Sequence, residues 1–247
     1  MKGNEITAVI FDLDDTLLDW SQGTINWRDF QQARAAGLHA YLQGMGYRLP
    51  PLPDFGQTLL QSIQAVWDEA NKNWVAARLE EALHRTLFIY GIEMSRLDTL
   101  PLLRAYNWEP IPGVVPFPDA HEVLTKLRQR GYQLGLITNS FTPMWMRDIE
   151  LCAYDLLQFF PVRITSGETG YMKPHPAIFQ RALDLLGITA AQAMYVGDRP
   201  AHDIAGANDV GMTSVLIRPP HLDRALNGVT PDYTIRHLHE LCEILAV

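Results

Sequence analysis

Residues 8–17 read Ala8-Val9-Ile10-Phe11-Asp12-Leu13-Asp14-Asp15-Thr16-Leu17. The first four are apolar and suit a short buried strand. Asp12 and Asp14 follow directly, one residue apart. A strand that ends this way is a poor structural element, because buried carboxylates need partners and adjacent ones repel. The pattern makes chemical sense if one carboxylate attacks a substrate, the other moves a proton, and a cation sits between them.

Downstream, from about Phe117, apolar strands alternate with amphipathic helices. A helix is predicted over 120–130 and a strand over 133–138, ending in Thr138-Asn139-Ser140. A short apolar stretch covers 162–165. The helix over 176–186 places apolar residues at 178, 179, 182, 183 and 186, one face of a 3.6-residue period. Pro176 suits its first turn and Gly187 its stop. A strand over 193–196 runs into Gly197-Asp198, a helix over 201–210 stops at Gly211, and a strand follows over 213–217. Residues 233–235 and a last helix over 237–245 close the chain. This alternation predicts an α/β fold, a Rossmann-like open parallel sheet with helices on both faces. Ligands of such sheets bind beyond the carboxyl ends of the strands. Asp12, Thr138 and Asp198 all fall at predicted strand ends, on one rim.

Residues 19–108 have a different texture. They look helical almost throughout, with Leu60, Ile63, Trp67, Ala70 and Trp74 spaced by three and four. Five of the six tryptophans lie between positions 20 and 108, and most are expected to pack between helices. Proline-rich stretches at 49–53 and 110–118 punctuate the region and its exit. The expected organisation is a catalytic core of residues 1–18 and 113–247, with 19–112 inserted as a mainly helical cap domain.

Composition narrows the function. No run of 18 apolar residues occurs, so neither a membrane span nor a membrane partner is expected. The start, Met1-Lys2-Gly3-Asn4-Glu5, lacks an apolar signal segment because Asp12 interrupts the run that follows. Two cysteines, Cys152 and Cys242, are too few for a disulfide framework, which fits a reduced, cytoplasmic protein. A formal charge of −8 disfavours binding to a nucleic-acid polymer. It leaves room for a small phosphorylated metabolite, since one lysine and one metal can make a site locally positive.

Four carboxylates are candidates for that site: Asp12, Asp14, Asp198 and Asp203. Two unit charges about 4 Å apart repel by roughly 4 kcal/mol at an effective dielectric of 20. Four of them beside a phosphate dianion require compensation. Lys173 supplies one positive charge, and Mg2+ supplies two more through hard oxygen ligands. Other candidates read more plainly. His237 and His239, two apart in a predicted helix, point to different sides. His175 and His202 read as solvated loop histidines beside the motifs, and Arg199 is placed equally well on substrate or on the surface.

The chain resembles the haloacid dehalogenase-like (HAD) superfamily of hydrolases, in the form with a helical cap after the first strand. Four motifs in order carry the resemblance: Asp12-Leu13-Asp14-Asp15-Thr16, Thr138-Asn139-Ser140, Lys173-Pro174-His175-Pro176, and Gly197-Asp198 with Asp203. It implies that Asp12 is a nucleophile forming an aspartyl-phosphate and that Asp14 is the general acid and base. It implies metal ligation by Asp12, Asp198 and the Asp14 backbone carbonyl, with Asp203 supporting the metal directly or through water. Thr138 and the Asn139 amide would hold phosphate oxygens, and Lys173 would neutralise nucleophile and phosphoryl group. The activity implied is a magnesium-dependent phosphatase. Alternatives are a phosphomutase, a metal-independent 2-haloacid dehalogenase, and a binding or regulatory protein that keeps the fold without turnover. Asp14 speaks against the dehalogenase, which needs no acid there, and the intact motifs speak against the non-catalytic form.

Overall fold

The computed structural model describes residues 5–23 and 26–247, with backbone alone at 27–29. Met1–Asn4, Thr24, Ile25 and the side chain of Trp27, one of the tryptophans counted above, lie outside the described residues. Ala8–Phe11 form strand β1, and none of the four has any exposed surface. Parallel strands flank it on both sides, β4 (Gln133–Thr138) and β6 (Ala193–Gly197). Beyond them lie β5 (Val162–Thr165) on one side and β7 (Thr213–Ile217) and β8 (Tyr233–Ile235) on the other. The order of this six-stranded parallel sheet is β5-β4-β1-β6-β7-β8.

The unbroken apolar run of β1 follows from its position, since a central parallel strand is covered on both faces. Its side chains alternate between two cores. Val9 and Phe11 join Leu134, Leu136 and Val196 under α5 (Ala120–Gln129), α6 (Met144–Ala153) and α10 (Glu240–Ile244). Ala8 and Ile10 join Ile137 and Tyr195 under α8 (Pro176–Leu186) and α9 (Ala205–Val210). A one-turn helix, α7 (Ser166–Thr169), follows β5. Helix α8 starts at Pro176 and ends at Gly187 in the left-handed region, as its sequence predicts.

Two predicted helices are shorter than expected. The one over 201–210 opens as a π-helical turn, Pro200–Ile204, before α9 begins. The last covers only Glu240–Ile244, because the Glu240 carboxylate accepts the backbone N–H of both Arg236 and His237 and caps the helix there. His237 and His239 therefore lie outside it, and their rings stack with centroids 5.4 Å apart instead of diverging.

A two-stranded antiparallel ladder, β2 (Leu18–Asp19) with β3 (Val115–Pro116), brings together the entry and exit of the helical segment. Between these strands run α1 (Trp27–Gly44), α2 (Leu52–Asn73), α3 (Leu79–Ile89) and α4 (Thr99–Ala105), around an apolar core that Phe141, Met146 and Met172 from outside the segment complete. The buried stripe of α2 is Phe55, Leu59, Ile63, Val66 and Ala70. It is rotated from the spacing expected, because α2 packs against α1 and α3 together. Trp67 is left on the flank, and Trp74 forms the left-handed C-cap. Among the described residues no helix is long and apolar enough to cross a membrane.

Candidate active site

Strand order reverses at β1: the chain moves outward to β4 and β5, then returns to β6 on the opposite side. Such a switch point opens a crevice at the carboxyl ends of the strands. Asp12 leaves β1 there, Thr138 is the last residue of β4, and Asp198 follows β6. Gly197 is required next to Asp198, because a β-carbon at that position would collide with the Asp203 carboxyl group. Asp203 is thereby drawn under the rim, where it has no exposed surface.

Lys173 ties these elements together. Its ammonium lies 2.8 Å from Asp12 Oδ1 and donates to Asp203 Oδ1 at 2.6 Å, Tyr195 Oη at 2.9 Å and the Ile137 carbonyl at 3.1 Å. Burial opposes its charge, but Asp12 and Asp203 outweigh that and raise its pKa. Asn139 fixes the lysine from behind: its side-chain amide donates to the Lys173 carbonyl at 3.0 Å, and its oxygen accepts the Lys173 N–H at 2.8 Å. The Asp203 carboxylate also accepts the Arg199 N–H at 2.9 Å. Both Asp203 oxygens are therefore engaged by protein donors, which makes this residue a support for Lys173 as well as a member of the acidic cluster.

Asp12, Asp198 and Asp203 each present a ligand oxygen, and the three atoms lie within 4.8 Å of one another. Burial, then the neighbouring carboxylates, push Asp198 up to about 8. Burial raises Asp12 to about 6 against the pull of Lys173. Neither oxygen of Asp198 accepts a hydrogen bond from a described residue, although the residue is 2 % exposed. Arg224 Nε stands 2.8 Å from Asp198 Oδ2 without the alignment of a hydrogen bond. A buried carboxylate with unsatisfied oxygens is costly by itself. The donor set therefore fits a hard divalent cation.

Asp14 is held differently. Its Oδ1 accepts from an Arg147 amino group at 2.8 Å and from Trp20 Nε1 at 3.1 Å, and its Oδ2 accepts from the same Arg147 nitrogen at 3.0 Å. Arg147 reaches on to Glu150 Oε2 at 3.0 Å, one turn along α6, and both are buried. Burial lifts Glu150 to about 7 even beside this guanidinium. Arg34 of α1 stacks on the Trp108 ring at 3.8 Å in the helical segment.

A cavity of about 320 Å³ opens over the rim. Asp12, Asp14, Thr138, Asn139 and Lys173 form its floor, and all five were expected at the site from sequence. From α2 come Trp67 and Asn71, and from the segment after β6 come Arg199 and, in the π-helical turn, His202. His202 is half-buried against the Trp74 ring, and burial lowers its pKa to about 4, so it is not the solvated histidine expected. His175 caps α8 by accepting the Ala177 N–H. Asp198 and Asp203 lie with Asp12 beneath the cavity. Sequence reading missed Arg147, Glu150 and Tyr195. In sequence the first two look like an ordinary i,i+3 surface pair, and the tyrosine looks like one more core residue of a strand.

Residues 6–211 match the pattern of the haloacid dehalogenase-like hydrolases. The chain belongs to that family of hydrolases and is an enzyme. It is 36 % identical over 241 residues to the glyceraldehyde 3-phosphate phosphatase of Methanocaldococcus jannaschii, spanning 97 % of each chain. It is 31 % identical over 252 residues to the ribulose-1,5-bisphosphate 5-phosphatase of Halopiger xanaduensis, spanning 97 % of this chain and 99 % of that one. Among solved structures, the 2-haloacid dehalogenase of Pseudomonas syringae pv. Tomato DC3000 superposes with a TM-score of 0.65 at 26 % identity, over 98 % of each chain.

Proposed function

We propose that the protein is a magnesium-dependent phosphatase of small phosphomonoesters, working through an aspartyl-phosphate on Asp12. The observation that supports this most is the buried cluster of Asp12, Asp198 and Asp203 around Lys173, with a second acid, Asp14, facing the same cavity. Asp12, Asp198 and the Asp14 carbonyl would hold the cation, and Asp203 would support that shell. Magnesium, when bound, neutralises charge on the phosphoryl oxygens.

The protein groups carry the steps. A carboxylate oxygen of Asp12 attacks phosphorus, and the bond from phosphorus to the ester oxygen breaks. Asp14 gives its proton to that departing oxygen. Lys173 and the Thr138–Asn139 turn keep the phosphoryl group aligned, which is most of what phosphoryl transfer asks of a protein. Water then enters, Asp14 takes its proton, and attack at phosphorus releases phosphate and restores Asp12.

In this reading residues 1–18 and 113–247 form the catalytic core, and 19–112 close over it as a cap that excludes water and selects the leaving group. The substrate is a small phosphorylated metabolite. A cavity near 320 Å³ lies at the low end for ligand pockets, and the phosphatases named above act on short sugar phosphates. Asp14 favours phosphate chemistry over dehalogenation. The free cysteines Cys152 and Cys242 suit a cytoplasmic enzyme.

Hydrolysis of p-nitrophenyl phosphate by the wild-type protein, with magnesium and with a chelator, tests the reading beside Asp12→Asn. Activity that requires magnesium and vanishes in Asp12→Asn is expected. Equal rates in both proteins, or rates indifferent to chelation, would overturn it.

A further inference from the structure

We infer that Arg147 is a positioning residue for Asp14, and that together with Trp20 it aims this carboxylate at the leaving group. The inference rests on the phosphatase reading and deepens it. Asp14 follows the β1 strand by three residues, in a turn whose next residue, Asp15, has a φ of 59°. Aspartate has two side-chain torsions, and a carboxylate at the wall of a cavity has several orientations open to it. Here two donors from separate elements fix one of them. Arg147 comes from α6 in the core, and Trp20 from the chain just beyond β2.

The arginine is poorly explained by stability alone. It is 4 % exposed, and burying an ion pair against Glu150 gains little or nothing over apolar side chains of similar volume. Its geometry is specific in a way that a generic charge balance would not require. One amino nitrogen spans both Asp14 oxygens at 2.8 and 3.0 Å, while the other holds Glu150 Oε2 at 3.0 Å. Glu150 is itself 3 % exposed, so the guanidinium is anchored at its far end. The result is a buried chain, Glu150–Arg147–Asp14, that ends at the cavity.

Proton transfer to a leaving oxygen is sensitive to placement, and an error near 1 Å costs on the order of 10²-fold. Loosening Asp14 therefore harms esters in proportion to how much their leaving group needs a proton. An alkoxide needs one. A nitrophenolate leaves as a stable anion.

The test compares kcat/KM, which reports only steps through the first phosphoryl transfer, for p-nitrophenyl phosphate and for the best-used alkyl ester among glycerol 1-phosphate, ribose 5-phosphate and glucose 6-phosphate. Wild type, Arg147→Met, Arg147→Lys and Trp20→Phe are measured with saturating magnesium. The double variant Arg147→Met with Glu150→Leu removes the buried pair together and covers misfolding of the single variant. Arg147→Met and the double variant are expected to lose about 10²-fold on the alkyl ester and less than about threefold on the aryl ester. Arg147→Lys is expected to recover part of the loss, and Trp20→Phe to show the same selectivity at a smaller size. An equal loss on both esters, or no loss on either, would overturn the positioning role while leaving the phosphatase reading intact. Magnesium-dependent turnover of neither ester by wild type would instead sink the reading beneath it.

Discussion

The strand-end rim and the helical segment above it meet at one cavity and are built in opposite ways. The rim is a web of buried charge, in which Lys173 alone engages Asp12, Asp203, Tyr195 and a backbone carbonyl. The helical segment is an apolar bundle that, among the described residues, sends two uncharged side chains to the cavity, Trp67 and Asn71. A charge web has one workable arrangement, because each group left without its partner is expensive in a low-dielectric interior. An apolar bundle tolerates repacking and can change the residues on its flank. In the proposed function, the reaction accordingly belongs to the rim and the choice of leaving group to the segment.

The largest break in that comparison is Asp12→Asn, which removes the proposed nucleophile and is expected to lower kcat by about 10⁴-fold or more, with circular dichroism unchanged. Next comes Lys173→Met. It is expected to cost about 10²- to 10³-fold in kcat, through loss of charge stabilisation. It also strands Asp12 and Asp203 in the interior, so denaturant melts should show a loss of about 3–5 kcal/mol. The segment should behave otherwise. Asn71→Ala and Trp67→Ala are expected to shift the ratio of kcat/KM between two sugar phosphates by about tenfold, with little change on p-nitrophenyl phosphate.

A separate effect, read in stability and not in rate, is one of stability against pH, at Glu150. Its pKa in the folded protein, about 7, lies above the ordinary 4.5 because burial penalises the ionised form. The folded state then holds a proton that the unfolded state has released. The stability contributed is full below pH 4.5 and is lost as pH rises through 7. Urea melts of wild type and Glu150→Gln should therefore differ by a pH-dependent amount, about 3 kcal/mol across that range and flat above it.

What the sequence made legible divides along the same line. The rim residues sit at the ends of short apolar runs, so Asp12, Thr138 and Asp198 could be placed together from pattern and parallel topology alone. The two-faced core of β1 was equally readable, since its four residues are all apolar. Trp67 could not be placed in the same way. The three-and-four spacing of α2 admits two overlapping stripes that share Ile63 and Ala70, and tertiary packing on α1 and α3 selected the one that leaves Trp67 at the cavity. Arg147 and Glu150 were hidden for a related reason. Charged residues three apart on a helix usually face water, and only the fold shows that this pair is buried behind Asp14. His202 was misjudged because the ring it meets, Trp74, lies more than a hundred residues earlier in the chain.

The most direct measurement is acid-quenched mass spectrometry of wild-type protein mixed with magnesium and a turned-over phosphate ester. The peptide that contains Asp12 should carry a phosphoryl group during turnover, and the group should disappear once substrate is exhausted. A protein that hydrolyses the ester with no adduct at Asp12, or with the adduct on another residue, would contradict the account.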